Sequence, residues 1–174
     1  MKRAQVTATR ALVTLVLLAV VFRLVGMAWL PLMDTTEARY AEIGRKMFEL
    51  GDWITPWHDD GVPFWGKPPL SFWMTALSFR TLGVNEFAAR LPHFLAMLAV
   101  VWTVWALARR RTPGEGLTAV ALLAGAALSF ISVGAVMTDG ALVVGTTLAM
   151  RGFWLGMSDA QATAGRERWL VFVG

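Results

Sequence analysis

Three ionisable side chains stand where chemistry at a membrane surface would need them. Asp34 follows directly on the apolar run from Ala11 to Leu30 and opens the segment DTTEARYAEIGRKMFELGDW. Asp139 interrupts the apolar stretch from Leu117 to Met157, and Lys67 stands just ahead of Pro68-Pro69. An acid at the end of an apolar run meets both water and lipid headgroups, which is where an enzyme working on a membrane-embedded substrate needs one. An acid between two apolar spans is costly to keep and is by default a functional residue. Each also has a plainer reading: Asp34 can cap a helix by accepting from free backbone N–H groups, Asp139 can serve a turn, and Lys67 can snorkel to phosphate headgroups.

The elements that must hold these residues are membrane spans. Of 174 residues, 56% are hydrophobic and 16% charged, whereas soluble domains run at roughly 45–50% and about 25%. That balance marks a polytopic membrane protein of all-α class. A span takes about 20 predominantly apolar residues, which gives spans at 11–30, 91–108, 117–136 and 140–157 and the start of a fifth at 169. Residues 139 and 140 then form a tight hairpin. The first run is too long for a signal peptide, no small-residue cleavage site follows it, and further spans come after. Cysteine is absent, so the chain has neither a disulfide framework nor a cysteine metal site. Nothing in the sequence points to nucleic acid.

Lys2, Arg3, Arg10, Arg109, Arg110, Arg111, Arg151, Arg166 and Arg168 all fall on one side near span ends. The positive-inside rule makes that side cytoplasmic, N-terminus included. The segment 31–90 and the turn at Asp139 then share the outer face, so two carboxylates distant in sequence converge there.

Sixty residues without structure would be improbable in a compact protein, and the outer segment carries helix signals. Asp34-Thr35-Thr36-Glu37 fits a capping box, with Tyr40, Ile43, Met47 and Leu50 at helical spacing and Gly51 as a stop. Glu42 with Lys46 and Arg45 with Glu49 are expected to pair on the other face, giving a short amphipathic helix along the membrane surface. GDWITPWHDDGVPFW holds turn residues, with Trp53, Trp57 and Trp65 suited to the headgroup level. A second short helix is expected from Pro68-Pro69 to Leu82, stopped by Gly83. Glu86 and Arg90 read as an i,i+4 helix pair. Arg23 is expected to face the bundle interior and pair with an acid outside this stretch of chain, while His58 and His93 read as structural rather than as metal ligands.

Four motifs follow one another in the outer segment: D-x-x-E-x-R-Y-A from Asp34, G-D-W-x-x-P from Gly51, K-P-P-L from Lys67 and R-L-P from Arg90. In that order and at those intervals, Met33 to Pro92 resembles the first outer loop of the polyprenyl-phosphate-sugar glycosyltransferases. That family includes the aminoarabinose transferase acting on lipid A and, more distantly, the protein O-mannosyltransferases. The likeness extends to about Asp139, and the chain resembles the N-terminal part of a longer transmembrane domain.

The resemblance implies a helical bundle of the C-type glycosyltransferase architecture, with short interfacial helices in the outer catalytic loop, 31–90. It implies an inverting enzyme that moves a sugar from a polyprenyl-phosphate donor to lipid A or another glycolipid acceptor, with a protein acceptor as the alternative. Placement in a bacterial inner membrane with a periplasmic catalytic loop goes with it. Asp34 matches the family's principal catalytic acid and Asp139 resembles the second. Lys67 matches the lysine assigned to the donor phosphate, and Glu37, Arg39, Tyr40 and Arg90 match substrate-site motif positions. Where lipid A transferases commonly carry an acid linked to metal binding, immediately before K-P-P, this chain has Gly66. No cofactor is therefore required, a divalent metal is disfavoured, and the strict lipid A assignment weakens. A secondary transporter using Asp34, Asp139 and Arg23 as an ion path is the rival from another class. It predicts charges near the bilayer midplane, whereas both acids stand at span ends.

Overall fold

A long apolar helix leads into the structure, which is a computed structural model describing residues 2–158 apart from 34, 111, 113, 127, 128, 130 and 131. Asp34 and the expected fifth span from 169 lie outside the described residues. The elements are α1 (Lys2–Trp29), α2 (Thr35–Leu50), β1 (Trp57–Asp59), β2 (Val62–Pro63), α3 (Leu70–Leu82), α4 (Glu86–Ala108), α5 (Glu115–Gly125) and α6 (Thr138–Ser158). Among the described residues, three helical stretches are long and apolar enough to cross a membrane: Thr9–Trp29, Glu86–Ala108 and Thr138–Met157. Along α1, Leu15, Leu17, Leu18 and Phe22 stay exposed, as suits a helix with lipid on most sides.

The core lies in the outer segment. One face of α2 carries Tyr40, Ala41, Ile43 and Met47, and it packs on α3, making one core cluster with Phe72, Ala76 and Phe79 of α3 and with Ala88 and Ala89 of α4. Tyr40, Phe64 and Phe72 form an aromatic cluster with ring centroids 5.7–6.1 Å apart, a spacing that favours tilted and edge-on pairs. Close approach of α2 and α3 depends on Gly44, where a Cβ would lie 2.8 Å from Thr75 Cγ2. The amphipathic helix expected along the membrane surface thus buries its apolar face in protein.

Local chemistry sets the element ends. Asn85 caps α4 by accepting from the Ala88 N–H at 2.8 Å. Pro92, inside α4, has no N–H to give the carbonyl four residues back; that carbonyl, on Ala88, accepts from Ser78 Oγ of α3 at 2.6 Å. Gly83 stops α3 with φ 78°. In the G-D-W-x-x-P stretch, Asp52 accepts from the Ile54 and Thr55 N–H groups at 3.0 Å and from the Trp57 indole at 2.9 Å. Those donors hold its carboxyl below the usual range, the Thr55 N–H foremost. The loop so organised leads into the antiparallel β1–β2 hairpin, which turns at Gly61 (φ 74°) and was not expected from the sequence.

Several local expectations are corrected. Within the span expected over 117–136, α5 stops at Gly125, and Gly134 takes φ 78° in a turn. Residues 139 and 140 are not a hairpin: both lie in the first turn of α6, and the reversal comes before it. Glu42 pairs with Arg45, at 2.6 and 2.7 Å, rather than with Lys46, because the guanidinium fork engages both carboxylate oxygens. Lys46 reaches across to Asp60 at 3.2 Å and Asp59 at 3.5 Å. The expected Arg45–Glu49 pair is present. Arg90 does not pair with Glu86, since its side chain turns inward to α2.

Candidate functional site

Two groups of charged residues flank the end of the bundle where the outer segment sits. The first is a buried knot. Arg90 of α4 donates from Nε and Nη2 to the two carboxylate oxygens of Glu37 in α2, each at 2.9 Å. Its remaining donors close the end of α1: Nη1 bonds Met27 O at 3.1 Å and also Leu30 O, and Nη2 bonds Pro31 O at 3.1 Å. Glu37 Oε1 accepts in turn from the Val136 N–H at 3.2 Å. Glu37 is 9% and Arg90 6% exposed. Burial raises the Glu37 carboxyl, but the Arg90 hydrogen bonds, the Val136 N–H and the positive charges of Arg90 and Arg23 outweigh it and hold the group below its ordinary value.

The knot joins four pieces of chain that the sequence keeps far apart. The strap 133–137 before α6 is fastened at Val136 by Glu37 and at Val133 O by Arg23 Nε. Its Gly134 lies against α1, where a Cβ would come within 2.7 Å of Met27 Sδ. Arg23, expected to face the bundle interior and to pair with an acid outside this stretch of chain, bonds this strap carbonyl. Fastening the strap fixes where α6 begins and so where Asp139 stands. The same knot holds Leu30 and Pro31, a few residues before Asp34.

The second group is an open cleft of about 260 Å³, lined by Lys67, Pro68, Leu70 and Ser71 on one side and by Thr138, Asp139, Leu142 and Gly145 on the other. Pro68-Pro69 ends the extended chain and starts α3, which places Lys67 at the rim, and the first turn of α6 presents Asp139 opposite. Both side chains are exposed, and neither makes an ion pair among the described residues. A cation and a carboxylate facing one small cleft beside two helix N-termini can hold an anion and act on what is attached to it.

The remaining expected site residues divide. Tyr40 is buried in the aromatic cluster and Arg39 is exposed on α2. Glu37 and Arg90 face each other, with Arg90's other donors taken by backbone carbonyls. Among the described residues no three His, Cys, Asp or Glu side chains gather to hold a metal ion. Gly66 lies against Phe64, where a Cβ would come within 3.1 Å of the ring. Sequence reasoning missed the Glu37–Arg90 pair because its partners are 53 residues apart, and only the shared membership of the motif run hinted at it. Missed too were the buried Ser71 Oγ, which has no partner among the described residues, and the buried ring of His93 in α4. The Nε2 of His93 meets Thr75 Oγ1 at 3.0 Å.

The family model for dolichyl-phosphate-mannose-protein mannosyltransferases matches residues 6–174. The undecaprenyl phosphate-alpha-4-amino-4-deoxy-L-arabinose arabinosyl transferase of Edwardsiella ictaluri is 35% identical over 164 residues, covering 92% of this chain and 29% of the relative. The protein of the same name from Enterobacter sp. is 33% identical over 152 residues, covering 82% of this chain and 26% of that one. The crystal structure of ArnT from Cupriavidus metallidurans in the apo state is similar with a TM-score of 0.80 at 28% identity, covering 95% of this chain and 31% of that one. The chain therefore spans less than a third of the length of these relatives.

Proposed function

The chain belongs to the dolichyl-phosphate-mannose-protein mannosyltransferase family, and on that premise we propose that the protein is an integral-membrane glycosyltransferase. It moves a sugar from a polyprenyl-phosphate donor to a cell-envelope acceptor, with inversion. The observation that carries this reading is the cleft in which Lys67 and Asp139, remote in sequence, face one another at the end of a membrane bundle. The names of the relatives in Edwardsiella and Enterobacter support an undecaprenyl-phosphate-linked aminoarabinose donor, while an acceptor of the lipid A class rests on the motif resemblance of Met33 to Pro92. The family description favours a second reading, in which the acceptor is a protein hydroxyl.

Breaking the bond from a sugar's anomeric carbon to a lipid phosphate builds positive charge on the ring and negative charge on the leaving phosphate. Lys67 compensates the phosphate, and such fixed charge is commonly the largest catalytic contribution. Asp34, in the catalytic role, removes the proton of an acceptor hydroxyl, an effect worth about 10²–10⁴-fold. For a phosphate acceptor, already anionic, Asp34 orients it instead. Asp139 is the second acid. Arg39 and Tyr40 belong to the substrate side of the motif run, and Glu37 with Arg90 serves the site by holding α1, α2 and the strap in register. The donor's prenyl tail accounts for a site set against lipid. Basic residues near span ends support a cytoplasmic N-terminus in a bacterial inner membrane with the cleft facing the periplasm.

The test is transfer of a labelled sugar from polyprenyl phosphate in membranes containing the protein. Asp34→Asn is expected to lower transfer by at least 10²-fold while expression and insertion stay at wild-type level. Undiminished transfer by that variant removes Asp34 from the chemistry.

A further inference from the structure

Ser71 is the one buried hydroxyl, among the described residues, that has no hydrogen-bond partner. It is 3% exposed, it lines the Lys67–Asp139 cleft, and it lies in the first turn of α3. Hydroxyls in helix interiors ordinarily bond the carbonyl four residues back, and three other buried ones here follow that habit or find a substitute. Thr75 Oγ1 donates to Ser71 O at 3.2 Å and Thr103 Oγ1 to Ala99 O at 2.8 Å, while Ser78 Oγ donates to Ala88 O at 2.6 Å. A buried hydroxyl left unmade costs about 1–3 kcal/mol in general, so an unpaired one beside a cleft points to a partner that arrives from outside.

The helix around it has the same deficit. The N-cap of α3 is Pro69, which makes no side-chain cap bond, and the first helical bond is from Trp73 N–H to Pro69 O at 3.0 Å. The N–H groups of Leu70, Ser71 and Phe72 therefore have no carbonyl within the helix to meet. Free N–H groups at the positive end of a 13-residue helix form a place for an anion, and the hydroxyl adds a neutral donor. Lys67, four residues before Ser71, supplies the countercharge on the same wall.

We infer that the first turn of α3, through the Ser71 hydroxyl and the free N–H groups beside it, seats the phosphate of the lipid-linked donor together with Lys67. The inference rests on the glycosyltransferase reading and deepens it: Ser71 is a binding residue for the phosphate, and Lys67 supplies charge without fixing direction. Hydroxyl and N–H donors read the tetrahedral oxygens, whereas an ammonium is a point charge on a flexible stem. The pair thus divides attraction from orientation.

The experiment measures binding of undecaprenyl phosphate to the protein purified in detergent, for wild type, Ser71→Ala and Lys67→Ala, with undecaprenol and inorganic phosphate as companion probes. For Ser71→Ala the expected result is a Kd raised about tenfold, the size of one hydrogen bond to a charged group. Its thermal stability without lipid should be unchanged or higher, since an unpaired buried hydroxyl has been removed. Undecaprenol, which lacks the phosphate, should bind both forms alike. Inorganic phosphate should bind far more weakly than the lipid yet show the same dependence on Ser71. If Ser71→Ala keeps the wild-type Kd while Lys67→Ala does not, the role of Ser71 is overturned and the donor reading stands. If wild type binds no undecaprenyl phosphate, the donor reading fails and this inference with it. Loss of undecaprenol binding or of lipid-free stability in Ser71→Ala makes the serine a packing residue. Equal affinity for inorganic phosphate and for the lipid makes the site one for free phosphate, which also overturns it.

Discussion

Arg90 and Lys67 are both cations of the outer segment, yet one is enclosed by two carboxylate oxygens and three carbonyls while the other has no ion-pair partner among the described residues. A charge taken out of water persists only when its hydrogen-bonding capacity is met, and Arg90 meets it by joining α1, α2 and α4. Lys67 keeps its charge at the rim of a cleft, where water solvates it until something better arrives. The knot spends its charges on holding chain segments together, and the cleft leaves its charges available for a ligand. Substitutions in the two places should therefore fail in different ways: in stability for the knot, in binding for the cleft.

The largest effect separating them is expected from Arg90→Met. That change leaves the Glu37 carboxylate buried without its partner and frees the carbonyls of Met27, Leu30 and Pro31. Removing one member of a buried pair typically costs about 3–5 kcal/mol, so the yield of folded protein and the midpoint of thermal unfolding in detergent should both fall steeply. Arg90→Lys should recover only part of the loss, since an ammonium cannot serve both carboxylate oxygens and three carbonyls at once. An Arg90→Met protein as stable as wild type would erase the distinction between knot and cleft.

The pH dependence of stability probes the same pair more gently. Glu37 has its folded pKa held below the ordinary carboxylate value, so its contribution is fully present above the unfolded pKa, about 4.3. That contribution is lost as pH falls through the lower folded value. Asp52 and Asp59 are also depressed, so acid should weaken the wild type through several groups. The share belonging to the knot is the difference between wild type and Glu37→Gln, read as unfolding midpoints from pH 7 down to pH 3. Glu37→Gln should start less stable and lose less on acidification. Parallel curves would show that Glu37 contributes no pH-dependent stability.

Much of the cleft was legible in the sequence and little of the knot was. Lys67 could be placed because Pro68-Pro69 fixes a helix start immediately after it, and α3 runs to Leu82 before Gly83 as those residues dictate. Asp139 could be placed on the same side as Lys67, where the cleft has it, because span counting is a one-dimensional signal. The knot depends on side chains from distant segments choosing one another, and there local rules misled. Glu86 offers Arg90 a partner at i,i+4, but an exposed pair of that kind is worth only about 0.2–0.5 kcal/mol, too little to compete with a forked bond to Glu37 inside the core. The helix end inside the span expected over 117–136 was hidden for a related reason. The span's apolar residues meet the composition test, yet α5 ends at Gly125 and the strap that follows is fastened by Arg23 and Glu37, neither of them local to it. The β1–β2 hairpin was too short for period-two patterning to reveal.

The smallest stability effect belongs to the cleft and is expected from Asp139→Asn. Asp139 lies in the first turn of α6, where a carboxylate interacts favourably with the helix dipole by about 0.3–1 kcal/mol at exposed sites. Its side chain makes no ion pair among the described residues, and asparagine keeps its shape, so nothing buried is left unpaired. The unfolding midpoint should therefore move by no more than that interaction implies, a shift best resolved at low ionic strength, because salt screens the dipole term. Sugar transfer should nonetheless fall well beyond what lost stability explains. A variant that unfolds as readily as Arg90→Met would mean that Asp139 carries the strap and α6 structurally, and it would move Asp139 from the cleft's side of the comparison to the knot's.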